Sequence, residues 1–278
     1  MATAQLTQEA TSKFVQAGDI RMHYNEAGDG PPLIMIHGGG PGATGWSNFV
    51  TNIGPLSEHF RVMLVDMPGF GGSDPVVLNE PRIQYNARAF KAFMDALGLK
   101  KAHFIGNSQG GGTSAKFAID YPEYVDKLVL MGAAGGGMSI FSPAPMEGIK
   151  HINQLFLNPT KEGFRELIKV FVYDSSFVTE ELLEQRLQGT LAHPEHLEAR
   201  KKGHESQLDL TPDMGKIKSK TLLIWGRDDR FVPLDHGLKY LFGIPDARLL
   251  IVPRCGHWVQ YEHSEEFNRV VTDFILNG

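Results

Sequence analysis

Short apolar runs, bounded by glycine, proline and aspartate, recur along the chain. Strands buried on both faces of a parallel sheet have this pattern. It predicts six such strands, at residues 33–37, 62–66, 103–106, 128–131, 221–225 and 249–252. Two earlier segments, 14–16 and 20–25, alternate apolar and polar residues around a short Gly-containing connection, which predicts an antiparallel hairpin at the start of the sheet.

Apolar residues recur with helical spacing between the later strands. In residues 86–97, one helix face would carry Ala87, Phe90, Phe93, Met94 and Leu97. Similar patterns predict helices at 111–121, 235–241 and 264–276. Because strands and helices alternate, the sequence predicts an α/β fold with a mostly parallel, doubly wound sheet.

The connection between predicted strands 128–131 and 221–225 is far longer than a crossover needs, since a whole βαβ unit takes about 30 residues. It contains helical patterns at 146–157, 161–172 and 179–190. We therefore predict a helical lid at 135–211, an α/β core at 13–134 and 212–278, and a flexible N-terminal tail at 1–12. Additional ordinary crossovers without a lid role are the alternative.

Composition narrows the class of protein. The 278 residues carry a formal net charge of −5 and show no basic tract, which argues against a nucleic-acid partner. The single cysteine, Cys255, excludes an internal disulfide framework and fits a cytoplasmic protein. The N-terminus does not resemble a secretory signal, and no apolar run reaches membrane-spanning length, so no membrane association is expected.

The strongest chemical signal is Gly106-Asn107-Ser108-Gln109-Gly110, between a predicted strand and a predicted helix. A G-x-S-x-G sequence at such a turn is the nucleophile elbow of α/β-hydrolases, where the strained serine needs very small residues two positions away on either side. A plain glycine-rich turn is the alternative. The motif predicts Ser108 as the nucleophile of an α/β-hydrolase.

A serine nucleophile needs a base, and His257 is the best placed of eleven histidines. It follows predicted strand 249–252, and α/β sheets place their sites beyond the carboxyl ends of strands. His103 falls within a predicted strand and reads as a core residue. His193 and His196 could suggest a metal site, but no Cys or Asp cluster accompanies them, and a solvated lid surface is favoured.

The third member of a triad should follow predicted strand 221–225, where Asp228 and Asp229 compete. Asp229 fits the G-x-x-D-x-x-x-P spacing ending at Pro233, whereas Asp228 could simply solvate the turn. The order Ser108, Asp229, His257 is the order of α/β-hydrolases. An aspartate here would hold the histidine tautomer and stabilise its imidazolium.

An oxyanion hole requires two N–H groups that point at the reacting oxygen. One should come from Gln109, directly after the nucleophile, and the other from the HGGGPG segment at residues 37–42. A phosphate-binding loop is the competing interpretation of HGGGPG, but the segment lacks both the G-x-G-x-x-G spacing and a following Lys-Ser/Thr.

Taken together, these motifs resemble those of the meta-cleavage product hydrolases, especially members that act in biphenyl breakdown. The likeness covers nearly the whole chain from about residue 14. It rests on the segments HGGGPGATGWSNF, DMPGFGGSD, GNSQGG, GRDDRFVPLDHG and CGHWVQYEH, and on APMEGIK, VFVYDSS and TEELLEQR in the predicted lid.

The resemblance implies roles for individual residues. The N–H groups of Gly39 and Gln109 would form the oxyanion hole. The implied substrate-binding residues are Gly38, Asn48, Asn107, Phe171, Arg186, Phe231 and Trp258. Among them, Arg186 and Asn107 would hold the carboxylate and 2-oxo end, while Phe171 and Phe231 would wall the aryl subsite. Without the resemblance, the sequence favours an exposed charge on a helix for Arg186. It favours core positions for Trp258 and Phe171.

The resemblance implies an activity as well. It is serine-dependent cleavage of a carbon–carbon bond in 2-hydroxy-6-oxo-6-aryl-hexa-2,4-dienoates, giving 2-hydroxypenta-2,4-dienoate and an aromatic acid such as benzoate. We expect no metal or organic cofactor, and we expect the protein to form a homo-oligomer. Two alternatives stay open: a carboxylesterase or lactonase that uses the same triad, and a non-catalytic small-molecule receptor. Gln109 stands where Met or Phe is commoner in the family.

Overall fold

An eight-stranded sheet forms the centre of the computed structural model, which describes residues 6–141 and 146–278. Its strands are β1 (Ser12–Ala17), β2 (Ile20–Ala27), β3 (Pro32–Ile36), β4 (Arg61–Val65), β5 (Ala102–Asn107), β6 (Val125–Met131), β7 (Lys220–Gly226) and β8 (Ala247–Val252). Their order across the sheet is β1-β2-β4-β3-β5-β6-β7-β8. The predicted hairpin pairs antiparallel, β2 is antiparallel to β4, and the other neighbours are parallel.

Helices cover both faces of this sheet. They are α1 (Gln8–Thr11), α2 (Gly45–Phe49), α3 (Ile53–Ser57), α4 (Arg82–Ala96), α5 (Gln109–Asp120), α6 (Glu147–Leu157), α7 (Lys161–Phe171), α8 (Glu180–Leu191), α9 (Pro194–Lys202), α10 (Leu234–Gly243), α11 (Val259–Glu262) and α12 (Ser264–Asn277). Within β3, Ile34 and Ile36 belong to one apolar core while Leu33 and Met35 belong to the other. This alternation is what burial on both faces requires, and the predicted doubly wound α/β-hydrolase fold is confirmed.

Strand β8 differs from the prediction of full burial. It lies at the edge of the sheet, next to β7 alone, and Ile251 is 41% exposed. An apolar run shows that residues favour burial, but the order of strands decides which strand lies at an edge.

The segment between β6 and β7 carries α6 to α9. Three of these helices match the predicted ones to within one residue at each end, counting only described residues; Ala144 and Pro145 of the APMEGIK motif lie outside them. Helix α9 was not predicted, because its sequence PEHLEARKK is polar and Ala199 is the one residue of the helix that is buried. Phe164 and Leu167 of α7 join the core cluster on one face of the sheet, so the insertion packs directly on the sheet domain.

The predicted N-terminal tail, residues 1–12, overlaps ordered structure. Helix α1 occupies Gln8–Thr11, and the side-chain amide of Asn25 donates hydrogen bonds to Gln8 O at 2.7 Å and Thr11 Oγ1 at 2.9 Å. Residues 1–5 lie outside the described chain. Within the two described ranges, no helix is long and apolar enough to cross a membrane.

Candidate active site

Ser108 occupies a strained turn between β5 and α5. Its φ of 55° and ψ of −118° lie where L-residues are rarely found. Backbone hydrogen bonds hold it there: its N–H donates to Met131 O at 2.9 Å, and its carbonyl accepts from Ala134 N at 2.9 Å. The turn therefore presents the Ser108 side chain at the carboxyl end of the sheet.

The glycines on either side of Ser108 have the steric role that the motif predicts. A Cβ on Gly106 would lie 2.4 Å from Gly110 O, and one on Gly110 would lie 2.2 Å from Ile36 O. Both distances are well below van der Waals contact. The elbow can therefore close only when these two positions lack a side chain.

His257 and Asp229 form a buried pair near Ser108. His257 Nδ1 lies 2.7 Å from Asp229 Oδ2, and both side chains are 1% exposed. Asp229 Oδ1 accepts backbone N–H groups of Phe231 and Val232, each at 2.8 Å. Asp228, by contrast, is partly exposed and pairs with Arg227 at 3.2 Å. The carboxylate that contacts His257 is therefore that of Asp229, and not that of its neighbour.

The other nitrogen of His257 is available for chemistry. Nε2 is buried and has no hydrogen-bond partner among the described residues, and His257 lines the same cavity as Ser108. The backbone N–H of His257 donates to Phe171 O at 2.5 Å, which ties the histidine loop to the end of α7. Such an imidazole can take a proton from Ser108 once substrate aligns the two groups.

Gly132 is a site residue that the sequence analysis did not identify. It follows β6, its φ is 46°, and a Cβ there would lie 2.6 Å from His257 Nδ1. Glycine at this position leaves room for the His257–Asp229 pair. Its position directly after a predicted strand was the available signal.

The HGGGPG segment lies against Ser108 and Gln109. A Cβ on Gly38 would lie 3.3 Å from Ser108 Cβ, and one on Gly39 would lie 2.7 Å from Gln109 Oε1. His37 fixes the segment: its Nδ1–H donates to Gly38 O at 2.7 Å, and its Nε2 accepts from Met67 N–H at 3.0 Å. Burial lowers the pKa of His37, which favours the neutral ring that this pattern requires.

A cavity of about 570 Å³ opens above Ser108. It is lined by eleven of the twelve residues predicted for the site: Gly38, Gly39, Asn48, Asn107, Ser108, Gln109, Phe171, Arg186, Phe231, His257 and Trp258. The twelfth, Asp229, lies behind His257. The fold therefore brings together residues that are spread over more than 200 positions of the chain.

Arg186 is buried in the wall of this cavity, and its interpretation as an exposed helix charge is wrong. The residue is 9% exposed; Nη1 donates to Ser47 Oγ at 3.2 Å, and the guanidinium lies 5.4 Å from the centre of the Trp258 ring. Burial lowers its pKa to about 10, which leaves it charged at neutral pH. No carboxylate in the described ranges forms an ion pair with it, so a buried cation faces the cavity without a countercharge.

The two asparagines that the resemblance implies for substrate binding, Asn48 and Asn107, differ in how many of their hydrogen-bonding groups are already engaged. Asn107 Oδ1 is buried without a partner in the described chain, while its Nδ2 lies 3.4 Å from both Met131 O and His257 O. Asn48 Oδ1 already accepts from Gln260 Nε2 at 3.3 Å. Asn107 thus retains a free acceptor at the cavity, whereas the Asn48 oxygen is engaged by Gln260.

Aromatic and aliphatic side chains form another wall of the cavity. The rings of Phe171 and Phe231 meet edge to face, with centroids 4.7 Å apart, and both lie within 5.3 Å of the His257 ring. The insertion adds apolar residues that the sequence analysis did not assign: Ile149, Ile152, Phe164, Leu167 and Ile168. Helical periodicity predicts their buried face but not the cavity it contacts.

His193 and His196 lie at the start of α9, away from the triad. With Glu195 they bring one potential ligand atom each to within 4.8 Å of one another. His196 is half-buried, and its Nε2 lies 3.0 Å from Gly71 O, so it contacts the core and is not fully solvated. The absence of a metal there stays a prediction.

Comparison with known proteins gives the family. A model of the α/β-hydrolase fold matches residues 31–264. The chain is 51% identical to a 2-hydroxy-6-oxo-6-phenylhexa-2,4-dienoate hydrolase of Comamonas testosteroni, over 98% of each chain. It is 48% identical to a 2-hydroxy-6-oxononadienedioate/2-hydroxy-6-oxononatrienedioate hydrolase of the same species, over 99% of this chain and 100% of that one.

A solved structure supports the same assignment. The meta-cleavage product hydrolase of Pseudomonas fluorescens IP01 is 34% identical, with a TM-score of 0.81 over 95% of this chain and 97% of that one. Together with the elbow, the buried His257–Asp229 pair and the cavity that they share, these matches show that the chain belongs to the meta-cleavage product hydrolases of the α/β-hydrolase family.

Proposed function

We propose that the protein hydrolyses a carbon–carbon bond in 2-hydroxy-6-oxo-6-aryl-hexa-2,4-dienoates. The products are 2-hydroxypenta-2,4-dienoate and an aromatic acid such as benzoate. One observation carries this proposal: the cavity lined by Ser108 and His257, with Asp229 behind the histidine, also contains the buried cation of Arg186, which has no countercharge among the described residues. A hydrolase for neutral esters has no need of such a cation, whereas a dienoate carries a carboxylate.

Recognition of the acid end falls to Arg186 and Asn107. A guanidinium can hold a carboxylate through two parallel hydrogen bonds, which fix orientation as well as charge. The bound carboxylate would also relieve the cost of burying Arg186 without a countercharge in the described part of the chain. With the acid end held, the remote ketone would lie at Ser108 and its aryl group against Phe171 and Phe231.

The first half of the reaction is a tautomerisation. The 2-hydroxyl loses its proton and becomes the 2-oxo group, the chain carbon next to the remote ketone gains a proton, and one double bond shifts. The new 2-oxo group lies next to the carboxylate, within the reach proposed for Arg186 and Asn107. Fixed positive charge there would stabilise the enolate from which the keto form arises.

The second half is acyl transfer. His257 takes the proton of Ser108 while Oγ attacks the remote carbonyl carbon, and the N–H groups of Gly39 and Gln109 stabilise the oxyanion. The carbon–carbon bond then breaks, and its electron pair passes into the conjugated system of the leaving dienol, which is protonated. Asp229 holds His257 in the tautomer that both proton transfers need. Water, activated by His257, then releases the aromatic acid from Ser108.

The direct test compares two substrates on the purified protein. We expect 2-hydroxy-6-oxo-6-phenylhexa-2,4-dienoate to give equal amounts of benzoate and 2-hydroxypenta-2,4-dienoate, with kcat/KM above that for phenyl acetate. Hydrolysis of the ester alone would instead make the protein an esterase. Stoichiometric binding of the dienoate without products would make it a receptor.

The cellular compartment and the oligomeric state of the enzyme are proposed from fewer observations. We place it in the cytoplasm, since its one cysteine, Cys255, is buried and unpaired, and we propose a homo-oligomer from the family resemblance. The roles of the site residues, and of residues 135–211 as a lid, belong to the same proposal. They are supported by the contacts described above.

A further inference from the structure

The corner between α8 and α9 brings together three side chains that can bind a metal ion. His193 is the residue before α9, and Glu195 and His196 lie in the first turn of that helix. Each offers one ligand atom, and the three atoms lie within 4.8 Å of one another. Within the two described ranges, no other group of three or more His, Cys, Asp or Glu side chains meets this condition.

His196 has one ring nitrogen engaged and the other free. Its Nε2–H donates to Gly71 O at 3.0 Å, because a carbonyl oxygen can only accept. The lone pair of the neutral ring is therefore on Nδ1, which is buried and has no partner among the described residues. A metal-bound histidine commonly donates its other N–H to a backbone carbonyl, which fixes the tautomer and orients the ring. His196 already has this arrangement.

The carbonyl that His196 contacts belongs to a tightly packed loop of the sheet domain. Gly71 lies in the segment after β4, its φ is 49°, and a Cβ there would lie 2.1 Å from Asp66 Oδ2. The same carboxylate oxygen accepts the N–H of Gly72 at 3.0 Å. The ring of His196 is thus oriented from the sheet domain, while its backbone belongs to the insertion.

His193 and Glu195 supply the other two ligand atoms. The ring of His193 lies beside that of His196, with centroids 5.2 Å apart and planes 28° apart, so nitrogens of both rings can approach one ion. Two atoms that are each about 2.1 Å from a zinc ion lie at most about 4.2 Å apart, so the three ligand atoms must close by about half an ångström. The side chains of His193 and Glu195 are 37% and 48% exposed, which leaves them free to make this movement.

A small cavity of about 30 Å³ adjoins the two histidines and Gly71. This volume exceeds the roughly 10–15 Å³ that a water molecule needs. Arg82 and Arg200 also line the cavity, but their charges are directed to Glu205, at 2.5 and 3.5 Å, and the Arg200 guanidinium lies over the Phe156 ring. The corner therefore has room for a water molecule beside a bound ion.

We propose that His193, Glu195 and His196 bind a Zn²⁺ ion, with water as the fourth ligand. Two imidazole nitrogens and one carboxylate are a ligand set that zinc accepts in tetrahedral geometry. The sequence favoured a solvated surface because no Cys or Asp accompanies the histidines. Glu195 supplies the carboxylate instead, and Gly71 supplies the outer-shell partner. This inference replaces the expectation that the chain binds no metal.

The ion would connect the insertion to the sheet domain. None of its three ligands lines the cavity that contains Ser108, so it takes no part in the proposed reaction. It would hold the α8–α9 corner against the Gly71 loop. Helix α8 also carries Arg186, so the ion would steady the helix that presents this cation to the cavity.

Zinc binding by the whole protein tests this site. After treatment with EDTA and removal of the chelator, we expect the wild type to bind one Zn²⁺ per chain at micromolar zinc, measured by competition with a chromophoric zinc indicator. Its Tm should rise with zinc concentration, since a ligand that binds the folded state stabilises it. Co²⁺ in place of zinc should give the visible absorption of a four-coordinate site.

The variants remove one ligand each. Glu195→Gln and His196→Gln should each weaken zinc binding by at least the roughly 10- to 100-fold that loss of an outer-shell partner costs. Because Glu195 is exposed, Glu195→Gln should have nearly the wild-type Tm in the absence of zinc. His59→Gln is the matched control, since His59 is an exposed histidine outside this cluster. It should bind zinc as the wild type does.

Two results would overturn the inference. One is a wild-type protein that binds no zinc at these concentrations. The other is equal zinc affinity in the wild type and all three variants, which would mean that zinc binds scattered surface groups. The proposed function is judged separately, by release of benzoate from the phenyl dienoate, and neither zinc result bears on it.

Discussion

Asp228 and Asp229 are adjacent in the chain, yet their surroundings give them different chemistry. Asp229 is enclosed and contacts His257 Nδ1 at 2.7 Å, whereas the Asp228 carboxylate is partly exposed beside Arg227. The buried carboxylate can orient the imidazole and stabilise its charged form. The exposed Asp228 carboxylate contacts solvent, and water can take over its interactions when it is removed.

We therefore expect Asp229→Asn to lower kcat by about 10⁴-fold, since an amide favours the wrong histidine tautomer. Asp228→Asn changes the same functional group one residue away and should alter kcat by about threefold at most, as expected for a surface position. Steady-state rates on the phenyl dienoate decide between them. If Asp228→Asn loses activity while Asp229→Asn stays active, the third member of the triad is Asp228 and the assignment to Asp229 is wrong.

Arg186 provides a second prediction at the residue scale. Arg186→Ala should lower kcat/KM for the dienoate by roughly 10- to 100-fold, the effect of losing a charge-assisted contact of about 1.5–3 kcal/mol. Hydrolysis of phenyl acetate should change far less, because that ester has no carboxylate. Arg186→Lys should recover part of the loss. Arg165→Ala is the control, since Arg165 is a partly exposed insertion residue paired with Glu162 and Glu180.

Equal losses on both substrates would give Arg186 a structural role instead. The distinction is sharp because the two substrates share the acyl-transfer step and differ in the acid end.

Single residues also mark what the sequence could reveal about the site. The close positions of Ser108, His257, Asp229 and the HGGGPG segment were predictable, because the chemistry expected of them requires particular residue types at short, fixed spacings. The roles of Gly132 and His37 were not. Gly132 is needed because a Cβ would lie 2.6 Å from His257 Nδ1, and His37 links Gly38 to Met67 through its ring. Both depend on contacts between distant segments, which spacing does not encode.

At the scale of elements, strands β3 to β7 and the longer helices followed from apolar periodicity. Helix α9 did not, since PEHLEARKK presents almost no apolar face. The edge position of β8 did not either, because its run of apolar residues resembles that of the central strands. Elements defined by burial are readable from sequence, whereas those stabilised by polar contacts or by their place in the topology are not.

The loop carrying His257 is attached to the insertion through Glu262 of α11. One oxygen of Glu262 accepts from Tyr173 N at 2.6 Å, and the other accepts from Gly256 N at 2.8 Å. Together with the bond from His257 N to Phe171 O, this joins the end of α7 to the segment that carries His257. The Glu262 carboxylate thus holds the end of α7 and the His257 segment in a fixed position relative to each other.

We expect Glu262→Gln to lower kcat roughly 3- to 30-fold and to lower Tm, because an amide has a single acceptor oxygen and one N–H would be left unpaired at about 1–2 kcal/mol. Glu265→Gln, an exposed position in the first turn of α12, is the matched control. Kinetics and thermal unfolding of both variants provide the measurement. If the two variants have the same kcat and the same Tm, the contacts of Glu262 between the insertion and the His257 segment do not contribute to activity.

At the scale of the whole molecule, the sheet domain and the insertion contribute different parts of one cavity. The sheet domain supplies Ser108, the Asp229–His257 pair and the HGGGPG segment. The insertion supplies Arg186, Phe171 and Arg200. Under the proposed function, we expect the sheet domain to set the chemistry and residues 135–211 to set most of the choice of substrate.

The central claim is that Ser108 attacks the remote ketone of a bound dienoate, and turnover by Ser108→Ala tests it most directly. Removing the nucleophile of a triad costs on the order of a million-fold in kcat, while the cavity and Arg186 remain. We therefore predict that Ser108→Ala binds the phenyl dienoate with a Kd close to the wild-type value, unfolds at a similar Tm, and releases no measurable benzoate. Release of benzoate at the wild-type rate by this folded, substrate-binding variant would contradict the claim.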